Sequence, residues 1–204
     1  MDFNEVYNLD YREFLQQIPE HSVELILTDL PYARKHLPLY EGLAEEAKRV
    51  LRIGGNLIAM CPNFMMPEVL SVMSQHLKWR WMIHYDYWHS SHARMAMGIE
   101  VCWKPLAWFV NEKLYPNRPI ADSVRAGARD KSLHVWQQDV EWAEYIIKAL
   151  TDEGDLVVDP FVGSGTVAVA AQLLRRKWLV NDLDERAVNT TIRRLEGSKC
   201  RATG

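Results

Sequence analysis

The chain has 204 residues, of which 48% are hydrophobic and 25% are charged, so it is long enough for one globular domain with a buried core. Its formal net charge of -3 gives no overall attraction to a polyanion, and any nucleic-acid site must therefore be a local basic surface. Three widely spaced cysteines fit neither a disulfide framework nor a CxxC metal site, which favours a reducing compartment.

The N-terminal residues and the apolar runs argue against secretion and membrane insertion. Residues 1–14 are acidic and mixed in character, unlike a secretory signal, and no apolar run approaches the ~18 residues of a membrane span. We therefore expect a soluble, cytoplasmic protein with no membrane partner.

The first half of the chain alternates predicted strands and helices. Residues 23–28 form a short apolar run typical of a buried strand, and apolar residues at helical spacing from Leu37 to Leu51 predict a helix. The Gly54-Gly55 pair is expected to stop that helix before a second strand at residues 56–60. Further along, the pattern predicts a helix at residues 66–76 and strands at residues 79–85 and 100–110.

Residues 111–132 differ from their surroundings, because proline, glycine and charge replace any periodicity. They hold five Lys or Arg against three Asp or Glu, and we expect a long functional loop there. Strands and helices then alternate again, at residues 140–150 (helix), 155–158 (strand), 165–174 (helix), 178–180 (strand) and 185–195 (helix). This alternation predicts an α/β domain with a mainly parallel sheet covered by helices on both faces.

A glycine-rich motif, Asp159-Pro-Phe-Val-Gly163-Ser-Gly165-Thr166, lies between a predicted strand and a predicted helix. Glycines there let the backbone approach a ligand, and Asp182, after the next strand, is placed to accept hydrogen bonds from ribose hydroxyls. Two other interpretations stay open, namely a dinucleotide-binding turn and a tight turn without a ligand. Only about 40 residues follow Gly163, whereas a dinucleotide motif normally opens its domain, so the cofactor half comes last in this chain.

A second motif, Asp29-Leu30-Pro31-Tyr32, follows directly on a predicted strand and should lie at the carboxyl end of the sheet. An exocyclic amine on a base is a poor nucleophile and needs acceptors for its N–H groups. The Asp29 carboxylate and the Leu30 carbonyl would be such acceptors, Pro31 would hold Leu30 extended, and Tyr32 would stack on an extruded base. An ordinary turn is the alternative, because Asp and Pro are common turn residues.

The two motifs together resemble the amino-DNA methyltransferases (N6-adenine and N4-cytosine) of the permuted, β-type order. In that family an Asp-Pro-Pro-Tyr element precedes an Asp-Pro-Phe-x-Gly-x-Gly loop. The similarity runs through most of the chain, at residues 8–10, 14–15, 18–19, 22–32, 49–55, 134–138, 159–166 and 178–182. The resemblance implies a Rossmann-like, circularly permuted fold that binds S-adenosylmethionine.

The resemblance also implies residue roles. Asp29, Leu30, Pro31 and Tyr32 would hold the target amine. The residues implied to bind the cofactor are Asp10 (adenine), His134 and Gln137 (closing over the methionine part), Asp159, Phe161, Gly163, Gly165 and Thr166 (methionine end) and Asp182 (ribose). Leu30 departs from the family, which usually has proline at this position.

The implied reaction is direct in-line transfer of a methyl group from S-adenosylmethionine to N6 of adenine in DNA, without a metal. Asp29 favours adenine, because the similar cytosine enzymes more often carry serine there. Alternatives are an N4-cytosine enzyme, a catalytically weak S-adenosylmethionine- and DNA-binding module, and a nicotinamide-dependent oxidoreductase that would leave Asp29–Tyr32 without a role. His89-Ser-Ser-His92 has permissive spacing, but no Cys or acidic cluster completes a metal site.

We expect a single methyltransferase domain over residues 1–204, with a catalytic half (1–110), an irregular basic segment (111–132) and a cofactor half (133–204). The expected DNA contacts are four of the five cations of that segment, Arg118, Arg125, Arg129 and Lys131. Since no other segment is available for target recognition, a short site, a site read by a homodimer and weak specificity all stay open.

Overall fold

A computed structural model describes residues 1–86, 93–94, 98–113, 119–125 and 140–199. The strands in these residues are β1 (Glu5–Tyr7), β2 (Val23–Asp29), β3 (Leu51–Met60), β4 (Lys78–Asp86), β5 (Ala93–Arg94), β6 (Glu100–Val101), β7 (Trp103–Val110), β8 (Ser123–Arg125), β9 (Leu156–Asp159) and β10 (Lys177–Asn181). The α-helices are α1 (Tyr11–Gln16), α2 (Leu37–Val50), α3 (Met66–Met73), α4 (Glu141–Leu150), α5 (Thr166–Leu173) and α6 (Glu185–Lys199), and short 3-10 helices cover Arg34–His36 and Asn63–Met65.

One 8-stranded sheet, in the order β1-β10-β9-β2-β3-β7-β4-β8, organises the molecule. The first five strands in this order, β1 to β3, are parallel to one another. Strand β7 is antiparallel to both β3 and β4, and β8 pairs in parallel with β4. Strands β5 and β6 form a separate two-stranded antiparallel ribbon. The expected mainly parallel sheet is therefore confirmed.

Helices cover both faces of the sheet, as the alternation of elements predicted. Side chains of successive strand residues point to opposite faces, so Ile26 packs with α1, α2 and α3 on one side. Leu25 and Leu27 pack on the other side with α4, α5 and the Leu195 end of α6. The result is a three-layer α/β domain with a core on each face of the sheet.

The glycine pair at residues 54–55 has a different role from the one its sequence suggests. Helix α2 ends at Val50, because Leu51 is already extended (ψ 132°), and β3 runs through both glycines. Gly54 has φ +82° and donates its N–H to the Asn111 carbonyl at 2.8 Å. A Cβ on Gly55 would lie 2.9 Å from the Arg52 carbonyl oxygen. The pair therefore forms a tight irregularity inside a strand rather than a helix stop.

Part of the expected loop at residues 111–132 is ordered as a strand. Ser123–Arg125 forms β8, and the buried side chain of Val124 joins the core of the α4–α6 face. A three-residue strand with a single buried side chain is too short for the period-of-two pattern to appear in the sequence. Across the described part of the chain, no helix combines the length and apolar character needed to cross a membrane.

Candidate active site

The two sequence motifs meet at the carboxyl edge of the sheet. Strand β2 ends at Asp29 and strand β9 ends at Asp159, and the two strands are parallel neighbours. The Thr28 hydroxyl donates a hydrogen bond to Asp159 Oδ1 at 2.6 Å, which ties the ends of both strands together. Open α/β sheets bind ligands at this edge.

Asp29 lies in a group of three interacting side chains. The Tyr32 hydroxyl donates a hydrogen bond to Asp29 Oδ1, and Lys104 Nζ, on β7, lies 3.5 Å from Asp29 Oδ2. The same ammonium is 4.9 Å from the centroid of the Tyr32 ring, within cation–π range. Burial, and secondarily the charge of Asp29, raises the pKa of the Tyr32 hydroxyl far above its usual value. Tyr32 therefore stays protonated and keeps the Asp29 carboxylate in place.

The residues between Asp29 and Tyr32 face opposite environments. The Leu30 side chain is only 2% exposed and packs into the core shared with α1–α3, whereas Pro31 is exposed. An apolar side chain at residue 30 thus fits the core, and its backbone carbonyl stays at the end of β2.

The glycine loop is anchored by the buried carboxylate of Asp159. The Phe161 N–H donates to Asp159 Oδ1 at 3.1 Å, beside the bond from Thr28. Burial raises the pKa of Asp159 to about 7, outweighing the two hydrogen bonds, which favour the ionised form. Since both contacts of this carboxylate are internal, Asp159 supports the loop from below.

The two glycines of the loop have left-handed backbone conformations but different surroundings. Gly163 has φ +52° and Gly165 has φ +85°. A Cβ on Gly165 would lie 2.9 Å from the Thr191 side chain of α6, whereas a Cβ on Gly163 would meet no described heavy atom within 4 Å. Gly165 is thus required by packing within the protein, and Gly163 leaves one side of the loop open.

Asp182 faces the glycine loop. Its Oδ2 accepts the Gly163 N–H at 2.9 Å, and its Oδ1 accepts the Asp184 N–H at 3.0 Å. The turn after β1 packs alongside, because Asn8 Nδ2 donates to the Asp182 carbonyl at 2.8 Å. Asp10, in that turn, caps α1 by accepting the Arg12 N–H at 2.9 Å. The structure therefore brings Asp10, Asp182 and the glycine loop to the same region.

A family model described as DNA methylase matches residues 102–193. The type II methyltransferase M.BamHI of Bacillus amyloliquefaciens is 22% identical over 87% of this chain and 54% of its own length. M.HindIII of Haemophilus influenzae is 35% identical over 35% of this chain and 23% of its own length. The chain is therefore similar to DNA methylases over residues 102–193 and to a type II methyltransferase over most of its length. It spans about half the length of M.BamHI, and its match to M.HindIII is shorter still.

Solved structures share the fold of this chain. The cytosine-N4-specific PvuII DNA methyltransferase gives a TM-score of 0.80 at 16% identity and covers 96% of this chain and 90% of its own. The M1.HpyAVI–SAM complex gives a TM-score of 0.75 at 20% identity, with 94% and 98% covered. TTHA0409 of Thermus thermophilus, a putative DNA modification methylase complexed with S-adenosyl-L-methionine, gives 0.73 at 20% identity, with 95% and 93% covered.

Some residues expected at this site lie outside the described residues. They are His134 and Gln137 for the cofactor, and Arg118, Arg129 and Lys131 for DNA. Arg125 is described, and it ends β8 opposite Asp86, at the same end of the sheet as Lys104. His89 and His92 also fall outside, and among the described residues no cluster of three or more His, Cys, Asp or Glu could hold a metal ion.

Two cations of the site were not anticipated from the sequence. Lys104 lies 75 residues from Asp29 in the chain, and no local motif marks it. Arg194, on α6, donates from Nη1 to the Ser164 carbonyl at 3.1 Å and to Thr166 Oγ1 at 3.0 Å. Thr166 therefore already accepts a bond from inside the protein. Both cations reach the site only through tertiary packing, which a single-sequence pattern does not contain.

Proposed function

We propose that the chain is an amino-DNA methyltransferase that transfers a methyl group from S-adenosylmethionine directly to N6 of adenine in DNA. The observation that carries the proposal is the meeting of Asp29–Tyr32 and the glycine loop on neighbouring parallel strands, joined by the 2.6 Å bond between Thr28 and Asp159. One motif suits a target amine and the other a nucleoside-containing cofactor, so acceptor and donor would lie side by side.

The donor set fits S-adenosylmethionine. Each carboxylate oxygen of Asp182 accepts one backbone N–H, and each retains a lone pair for a ribose hydroxyl. Gly163 leaves the loop open on one side for close approach of a ligand. Phe161, Gly165 and Thr166 would shape the methionine end, held by Asp159 from below, with Asp10 near the adenine. When bound, the cofactor supplies an activated methyl group, and the complexes named for M1.HpyAVI and TTHA0409 support this choice.

The acceptor groups suit an exocyclic amine of an extruded base. The Asp29 carboxylate and the Leu30 carbonyl would accept its two N–H groups, and the ring of Tyr32 would stack on the base. The methyl carbon and the amine then have to be held at near-attack distance, which is the main catalytic contribution. As positive charge develops on the nitrogen, Asp29 would stabilise it electrostatically.

Adenine is the first candidate base and cytosine the second. Asp at the first position of the acceptor motif supports N6 of adenine, by resemblance to the family. The cytosine-N4 specificity named for the PvuII enzyme, whose fold is shared, keeps N4 of cytosine as the alternative. Digestion of methylated DNA to nucleosides distinguishes the two products. Detection of N4-methylcytosine would replace N6 of adenine by N4 of cytosine as the proposed target.

The proposal is tested by incubating purified protein with labelled S-adenosylmethionine and duplex DNA of mixed sequence, followed by nucleoside analysis. We expect label in N6-methyladenine for the unaltered protein. We expect Asp29→Ala to lose transfer by at least about 100-fold, because a preorganised charge is removed from the reacting nitrogen. Cofactor binding, measured as thermal stabilisation, should persist in the variant. Near-normal turnover by Asp29→Ala would refute the assignment.

A further inference from the structure

Lys104 holds a position that the proposed reaction does not explain. Its ammonium is 3.5 Å from Asp29 Oδ2 and 4.9 Å from the Tyr32 ring centroid. The side chains of Lys104 and Asp29 are 32% and 43% exposed, so the ion pair is partly exposed to solvent. Lys104 thus contacts the two groups of this motif whose side chains would bind the target nucleotide.

The contacts of Lys104 are those required of the target amine. An exocyclic amine would donate to the Asp29 carboxylate while its base stacks against Tyr32, and the Lys104 ammonium now donates to that carboxylate beside that ring. Methyl transfer also moves positive charge from the sulfonium to the acceptor nitrogen. A second cation held at the same carboxylate would oppose that charge. Lys104 at Asp29 would therefore disfavour the developing charge on the acceptor nitrogen.

We propose that Lys104 occupies the place of the target amine in the DNA-free protein and moves to a backbone phosphate of the extruded nucleotide when the base binds. This inference rests on the proposed function. Lysine suits the exchange, because its ammonium is a compact charge on a flexible four-carbon stem and a partly exposed ion pair is weak. The phosphates of a nucleotide bound base-first stay on the solvent side, where a displaced ammonium can reach them.

The proposal predicts effects of opposite sign for two ligands. In protein saturated with S-adenosylhomocysteine, Lys104→Met should bind the phosphate-free deoxynucleoside of the methylated base about 1.5- to 5-fold more tightly, because an exposed ion pair no longer has to break. The same variant should bind target duplex DNA more weakly. The slope of log K against log salt should become shallower by about 0.9, the value for one lost phosphate contact. Lys104→Arg should retain the DNA affinity.

If Lys104 only stabilised the local structure, Lys104→Met would change the affinities for the deoxynucleoside and for duplex DNA in the same direction. That result would overturn the proposal. An unchanged salt slope would overturn it as well, as would a tenfold loss of kcat at saturating DNA. Lys78→Met is the matched control, because Lys78 is exposed at the far end of β4, opposite Val110. This variant should bind both ligands with unchanged affinity. Methyl transfer by the unaltered protein is measured first. Its absence refutes the proposed function, whereas transfer with an unaffected Lys104→Met refutes this inference alone.

Discussion

Alanine substitution at the two glycines of the cofactor loop should separate folding from ligand binding. Gly163 and Gly165 both have positive φ, at +52° and +85°, so a side chain at either position strains the backbone. Only at Gly165 does the new Cβ also collide with a neighbour, at 2.9 Å from Cγ2 and Oγ1 of Thr191, which is fully buried. The two variants differ, therefore, in packing within the protein.

The left-handed conformation costs a non-glycine residue about 1–2 kcal/mol. Gly163→Ala should lose that amount of unfolding free energy. Overpacking a buried site adds about 1–3 kcal/mol, so Gly165→Ala should lose about 2–5 kcal/mol. For cofactor binding we expect Gly163→Ala to lose more affinity than Gly165→Ala. The new methyl group at residue 163 projects from the open side of the loop, whose N–H at that residue bonds to Asp182.

Urea denaturation of the ligand-free variants measures the first effect, and titration with S-adenosylmethionine at a temperature where both are folded measures the second. Thr191→Ala completes a double-mutant cycle with Gly165→Ala and should recover part of this ~1–3 kcal/mol as a coupling energy, because it removes the two atoms at 2.9 Å and leaves Cβ at 3.1 Å. Beside Gly163→Ala, the same Thr191→Ala change relieves no clash but removes the hydrogen bond from the Thr191 hydroxyl to the Gly163 carbonyl (3.2 Å), so this pair should show no such recovery. Equal losses of stability at the two glycines, or no coupling at Thr191, would refute the packing argument.

Two further substitutions test the electrostatics of the site. Burial raises the pKa of Asp159 from 3.8 to about 7 in the folded protein, so its contribution to stability is present at low pH and is lost as pH rises from about 4 to about 7. At about 1.4 kcal/mol per pKa unit, this contribution to the free energy of unfolding is up to about 4 kcal/mol. Asp159→Asn should therefore flatten the dependence of urea unfolding on pH. A difference in stability between variant and unaltered protein that stays constant with pH would contradict this prediction. Arg125→Glu should weaken DNA binding and make that binding less dependent on salt concentration. Lys78→Glu makes the same charge change at the opposite end of β4 and should weaken DNA binding less. Equal effects of the two substitutions would show that the DNA lies elsewhere.

The sequence predicted the strands and helices that are long enough to show a period. Strand β2 and helix α2 begin within a residue of their expected positions. Strand β1 and helix α1 were missed, because three and six residues are too few for a hydrophobic pattern. Helix α1 nevertheless has a clear start signal, since Asp10 caps it.

The site could be predicted to the extent that it lies in contiguous motifs. Asp29–Tyr32 and the glycine loop each follow a strand, and in a parallel sheet the strand ends meet at one edge. Lys104 and Arg194 join the site from an antiparallel strand and from the last helix, and their partners are fixed only by the sheet order and by α6 packing. The Gly54-Gly55 pair shows the converse limit, because the same dipeptide suits a helix stop or a kinked strand.

The sheet order has a consequence for synthesis on the ribosome. Strand β2 pairs with β9, and the bond from Thr28 to Asp159 spans 131 residues of chain. At roughly 5–20 residues per second, the nascent chain waits roughly 10 s with that edge of β2 exposed. Strand β1 waits longer for its partner β10. The bond from the Trp178 N–H in β10 to the Asn4 side chain, just before β1, spans 174 residues. Strand β1 thus pairs after β2, although it is synthesised before β2, and the unpaired apolar edge of β2 has to be protected from other chains until β9 is made.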